Sequence, residues 1–105
     1  MNGNFDERQR LQDGDQTVDA RGWLTWDPDD ASAQITITVI QDGYECPGPP
    51  ITCAPPSETW RVPVTRPAPP PWRRGTASGR AEAVVTKQDG STQDVPWSSP
   101  PLTLH

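Results

Sequence analysis

Apolar and polar residues alternate with period two along most of this chain. In residues 16–26, QTVDARGWLTW, one face collects Val18, Ala20, Gly22, Leu24 and Trp26, and the other collects Thr17, Asp19, Arg21 and Trp23. That alternation predicts a half-buried strand. Residues 33–40, AQITITVI, predict the strongest strand, with Ala33, Ile35, Ile37 and Val39 toward a core and Gln34, Thr36 and Thr38 toward water. TWRVPVT (59–65) sends Trp60, Val62 and Val64 inward and Arg61 outward. Its Pro63 has no N–H to donate, so the strand belongs at an edge or a bulge. RAEAVVTKQ (80–88) predicts a further strand, joined by Asp89-Gly90 to a partner over 91–97. A two-residue hairpin loop there sets Val84 opposite Val95. Leu102-Thr103-Leu104 is a short last strand or a tail.

Turn formers punctuate these runs. Asp27-Pro28-Asp29-Asp30 ends the first, and Gln41-Asp42-Gly43 ends the second. Residues 44–58 and 66–79 are so rich in proline that they read as two long loops; the run RPAPPPW, with Pro67 and Pro70 in a P-x-x-P pattern, offers a polyproline helix for an aromatic groove. The tripeptide Gln-Asp-Gly recurs, as two hairpin corners require, without making a repeat. Residues 1–15 read differently. Asn4 followed by Glu7 fits a capping box, and Gly14 is placed to end a helix of two turns. Phe5 and Leu11 are the apolar residues available to dock it, and so short a helix frays unless a neighbour orders it. The expected organisation is an acidic, flexible arm over 1–15 and a β domain over 16–105.

The segments AQITITVIQDG, TWRVPVT and RAEAVVTKQDGSTQDVPW together have a layout that resembles immunoglobulin-like and fibronectin-type-III-like modules. The resemblance covers roughly residues 16–104. It implies an all-β fold: a single antiparallel β-sandwich of about six or seven short strands with long Pro-rich loops. The antibody pattern of two distant cysteines around a core tryptophan is absent, and Tyr44, the single tyrosine, lies far from the last hairpin. A shared sandwich carries no statement about activity.

Composition sharpens this picture. The chain has 105 residues, one domain's worth, and its 14 prolines exclude long helices. Leu, Ile, Val and Phe are scarce, so the five tryptophans must supply much of the core. No apolar run approaches the roughly 20 residues of a membrane helix. Residues 1–20 show no cleavable leader, which predicts synthesis in the cytoplasm. Eight of the nine basic residues are Arg, and Gly, Ala and Pro are abundant. This matches the codons of a GC-rich genome and points to a high-GC bacterium or one of its viruses.

The net charge is −5, and residues 1–30 hold the whole imbalance, with eight acids against three arginines. Such a front end argues against nucleic acid as a partner through that region and in favour of a basic one; a solvated leader gives the same pattern.

Candidate chemistry is sparse. Cys46 and Cys53 bracket CPGPPITC, where a disulfide would stabilise by roughly 2.5 kcal/mol in the chain-entropy model. With no leader, oxidation would follow release from the cell; reduced thiols are the other reading. Zinc lacks ligands, because His105 is the single histidine. Asp27, Asp29 and Asp30, with Asp42 near if the strands pair, are read as an acidic turn and not as a calcium loop, the EF-hand spacing being absent.

Between Glu58 and Glu82 lie Trp60, Arg61, Arg66, Trp72, Arg73, Arg74 and Arg80 without an acid. Trp72-Arg73-Arg74 is either a recognition loop for an acidic partner or a flap over the sheet edge. Trp23 beside Arg21 is either an exposed contact or buried beneath the arm through Phe5. No base stands near a nucleophile. The expectation is a non-catalytic protein without cofactor or metal that works by contact, with a protein partner or as a homo-oligomer. Its most concrete form is a small subunit of a larger assembly, such as a phage virion surface or decoration protein, with edge strands free to pair with neighbours. A carbohydrate- or small-ligand-binding module using Trp23, Trp60 or Trp72, and an effector binding one folded partner, are the alternatives.

Overall fold

A computed structural model describes residues 1–67 and 69–105; Ala68, inside the RPAPPPW run, lies outside the described residues. The chain is all-β. Among the described residues its ten strands are β1 (Asn2–Phe5), β2 (Arg8–Gln12), β3 (Thr17–Thr25), β4 (Asp30–Gln41), β5 (Tyr44–Pro47), β6 (Ile51–Cys53), β7 (Thr59–Thr65), β8 (Gly75–Lys87), β9 (Thr92–Ser98) and β10 (Leu102–Leu104). Strand β3 takes β7 on one edge and, in succession, β2 and β1 on the other. Strand β8 takes β4 on one edge and β9 then β10 on the other, while β4 carries β5 and β6 beyond it. Strand β10 joins the two groups by pairing parallel with β2. The expected purely antiparallel layout is therefore corrected at one pair: hydrogen bonding is mostly antiparallel, continuous through all ten strands, and mixed.

The period-two readings place the core. Val18, Ala20 and Leu24 of β3, Ile35, Ile37 and Val39 of β4, and Trp60, Val62 and Val64 of β7 are all 3% exposed or less. They form one cluster with Ala81, Ala83 and Val85 of β8 and Leu102 and Leu104 of β10, so the chain's last strand is part of the core.

Four expectations are corrected. Residues 1–15 are not a frayed helical arm: they form β1 and β2, with Met1, Phe5 and Gln9 buried. Capping-box chemistry loses to β1's partners. Phe5 meets the Trp60 ring edge-on, with centroids 5.1 Å apart, and the Phe5 ring also covers Gly79, where a Cβ would lie 2.6 Å from it. Second, residues 44–58 include β5 and β6, which lie along the outer edge of β4, where proline costs no ladder bond. Third, β8 begins at Gly75 and not at residue 80. Its first inward positions are Ala77 and Gly79, and period-two alternation carried by such small residues reads as loop.

Fourth, the last hairpin has a three-residue loop. Lys87 N donates to Ser91 O at 2.8 Å, and Gly90 takes φ 89°. This shifts the register by one: Val95 faces Ala83, Val84 faces Asp94, and Val84 is 44% exposed. The other Gln-Asp-Gly does make a two-residue turn, with Asp42 at φ 54° and Gly43 at φ 76°, the pair of positive values a type I′ turn needs.

Two buried glutamines complete the backbone bonding. Where β1 gives way to β2, the Gln9 side chain accepts from Arg21 N–H at 2.8 Å and donates to Arg21 C=O at 3.0 Å, standing in for a missing strand residue. Gln41 does the same for Arg73, with both bonds at 2.8 Å.

The free edges are blunted rather than open. Strands β7, β5 and β9 carry Pro63, Pro47 and Pro96. On β1, the outward N–H groups of Gly3 and Phe5 donate to the side chains of Asn2 and Asn4. Edge-to-edge pairing with a neighbour is disfavoured at each of them.

Two substitutions test this packing by urea denaturation. Gly22→Ala drives a methyl into Asn4 O and the Trp60 ring and should cost about 2–4 kcal/mol. Gln9→Leu keeps the volume but orphans the Arg21 N–H, while the Arg21 carbonyl keeps its bond from Asp6 N–H at 3.0 Å, and should cost about 1–3 kcal/mol. A loss below about 1 kcal/mol in either would show that the site relaxes freely.

Candidate functional site

The predicted site residues scatter. Cys46 on β5 is buried, and Cys53 on β6 is half-buried; both are free thiols. Their register partners on β4 are Val39 and Ala33. Six strand residues apart is about 20 Å, far beyond disulfide reach, so the expected ring does not form. Pairing of β5 and β6 with one straight strand is what separates them. Burial pushes both thiols up, an effect Arg66 partly offsets at Cys46, so neither is an activated thiolate at neutral pH.

Trp72 is core at 1% exposure, its Nε1 donating to Val64 C=O at 3.2 Å, and is not a contact residue. Arg66 stacks over the Tyr44 ring at 4.2 Å and the Trp72 ring at 5.2 Å. Arg73 bonds Asp42 through Nε at 3.0 Å and Nη2 at 2.5 Å, which takes Asp42 away from the other acids. Arg74 is exposed and makes no ion pair among the described residues. Phe5 is core and Leu11 is half-buried against it. Trp60, the other aromatic named for ligand contact, is 3% exposed.

The acidic turn is occupied by the protein's own cations. Asp27, Asp29 and Asp30 gather their carboxylates within 4.8 Å of one another. Lys87 Nζ reaches Asp30 at 2.6 Å and Asp29 at 3.3 Å, and the Met1 amine reaches Asp30 at 2.9 Å and Asp27 at 3.0 Å. Burial works to raise the pKa of Asp30; hydrogen bonds from Lys87 and the Met1 amine outweigh it and hold the group at about 2. This is a structural ion cluster that ties the β3–β4 turn to the end of β8.

Arg21 and Trp23 remain, and they share the outer face of β3. Trp23 is 43% exposed, so the reading that buried it under the arm falls. Its neighbour two residues back, Arg21, is in register with Arg61 of β7. Beneath both guanidiniums lies Asp19, only 3% exposed although it belongs to the outward set. One Asp19 oxygen accepts from Arg21 Nε at 3.0 Å and Nη2 at 2.6 Å, and the other accepts from Arg61 Nε at 2.7 Å. Burial works to raise the Asp19 pKa, but the bonds from Arg61 and Arg21 outweigh it and leave the group below the ordinary carboxylate value.

On β2, Arg10 is in register with Asp19, and Arg8 lies two residues away. Sequence reading named Arg21 and Trp23 and placed Arg61 outward, but missed the Asp19 clamp. The signal was the run Asp19-x-Arg21-x-Trp23 at period two; the cross-strand register that adds Arg61 could not be read locally. Beyond Trp23 lies a cleft of about 520 Å³ whose walls include Trp26, Pro55, Pro56 and Glu58.

The depressed pKa of Asp30 makes stability pH-dependent. A carboxyl group at about 2 when folded, against 3.8 ordinarily, contributes its full share above pH 4 and loses it as pH falls through 2. The contribution is about 2 kcal/mol. Asp19 adds in the same direction. Thermal unfolding followed from pH 5 to pH 2 should show this loss in the native chain. Asp30→Asn should be less stable at pH 7 and should flatten the profile; an unchanged slope would contradict the assignment.

No protein-family model, no curated protein and no solved structure matches this chain, so its function is read from its own residues.

Proposed function

We propose that this protein works by contact and without catalysis, as a small subunit of a larger assembly. A surface or decoration protein on the virion of a phage with a GC-rich host is the most concrete form. The observation that carries the reading is the outer face of β3. There, Trp23 stands exposed beside Arg21 and Arg61, whose guanidiniums are fixed by a buried carboxylate. Tryptophan and arginine held rigid on a surface are the residues that dominate interface energies. The scaffold belongs to the same proposal: a β-sandwich of immunoglobulin-like layout, supported by inward rows from β3 and β7 and from β4 and β8 that enclose one core. Blunted edges direct a partner to the face.

In a lysate of its own host, tagged protein should sediment with a particle far heavier than 11.5 kDa, and Trp23→Ser should sediment alone with an unchanged circular dichroism spectrum. A native chain that sediments alone overturns this reading.

A second reading, a saccharide-binding module, is favoured by the Trp23 cleft. Its walls of Trp26, Pro55 and Pro56, with the Glu58 carboxylate as a polar group, suit the apolar face and hydroxyls of a sugar ring. Among the candidate aromatics, Trp60 and Trp72 are core and only Trp23 is open.

A further inference from the structure

Like charges directly opposite on neighbouring strands repel. Yet in a chain of net charge −5, Arg21 and Arg61 are register partners, and Arg8 and Arg10 of β2 approach the same face from the other side of β3. Four of the eight arginines thus converge on one sheet face. Asp19 holds two of them but leaves donors free. A guanidinium has five N–H groups; Arg61 spends only Nε on Asp19, and the Nη1 group of Arg21 is unspent. Neither Arg8 nor Arg10 makes an ion pair among the described residues.

Two shallow clefts meet at Arg21. One, of about 230 Å³, lies among Arg8, Arg10, Arg21, His105 and Asp6. The other, of about 310 Å³, lies between Arg21 and Arg61, with Thr59 at its wall. Trp23 is two residues from Arg21 on the same strand face, about 7 Å along it.

We propose that this face binds a saccharide bearing a sulfate or phosphate ester: the free donors of Arg21 and Arg61, with Arg8 and Arg10 beside them, take the oxyanion, and Trp23 stacks the ring. The charge balance selects this class. The carboxylates that share the region are Asp6, Asp19 and Glu58, the last in the wall of the Trp23 cleft. Four guanidiniums exceed them only slightly. That excess suits one or two oxyanions on an otherwise neutral body; a nucleic-acid strand, with a phosphate at every residue, needs a far more basic track. Asp19 is then a positioning residue, whose burial fixes the two forks without blocking them. The inference rests on the saccharide reading of Trp23 and adds the anionic group to it.

The full chain should be titrated at low salt, by amide and indole NMR shifts, with a sulfated disaccharide, its unsulfated parent, glucose 6-phosphate, inorganic sulfate and a single-stranded DNA 12-mer. The sulfated sugar or the sugar phosphate should bind at least tenfold tighter than the unsulfated parent, with shifts centred on Arg21, Trp23 and Arg61; the tighter of the two identifies the ester. Trp23→Ala should weaken the sugar ester and leave inorganic sulfate unchanged. Arg21→Gln/Arg61→Gln should abolish the preference. Because Asp19 is left unpaired there, Arg8→Gln/Arg10→Gln, which breaks no internal bond, should weaken ester binding at least threefold in a folded chain. Equal binding of sulfated and unsulfated sugar overturns the inference and leaves the saccharide reading standing. No binding of any sugar overturns both, and tighter binding of DNA overturns the inference in favour of nucleic acid.

Discussion

Phe5, Trp60 and Trp97 each lie against a strand residue that has no side chain: Gly79, Gly22 and Gly3. These glycines are extended, so what they supply is space and not an unusual backbone angle. With so few aliphatics in the chain, the core is filled by placing rings over backbone. All three contacts run through or beside β1. Its Gly3 lies under Trp97 of β9, its Phe5 covers Gly79 of β8, and its Asn4 carbonyl accepts the Trp60 indole N–H of β7 at 3.0 Å. The amino-terminal strand is thereby fixed from three directions, and through it the β3 group is held against the β8 group.

A sheet assembled from so many short strands leaves gaps in its backbone ladders. Gln9 and Gln41 fill two of them with side-chain amides in peptide-like geometry. Asparagines and prolines close the edges that have no partner strand. The sheet faces are therefore the surfaces left open, and Trp23 stands exposed on that of β3.

Electrostatics divides the acids of the amino-terminal third into two jobs. Asp30 is consumed by Lys87 and the Met1 amine, and it holds a turn to the far end of β8. Asp19 faces two arginines that keep donors to spare. The first arrangement is closed on itself; the second leaves positive groups presented outward in a chain that is acidic overall.

How much of this was legible in the sequence follows from which forces act locally. Alternation alone places Val18, Ala20 and Leu24, Ile35, Ile37 and Val39, and Trp60, Val62 and Val64 on buried faces, and marks Pro63 as an edge residue, because strand geometry assigns faces two residues at a time. It also exposes Arg21 and Trp23. Tertiary structure alone decided the rest. Small residues such as Ala77 and Gly79 become a strand only when Leu102 of β10 pairs with the first and the Phe5 ring covers the second. Cys46 and Cys53, close in sequence, are held far apart by the register of β4. A single extra loop residue at Gln88-Asp89-Gly90 moved Val95 from the face of Val84 to that of Ala83. The Asp19 clamp needs Arg61, 42 residues away. Each of these depends on contacts between segments distant in the chain, and period-two patterning fixes the face of a strand but not the partner it meets.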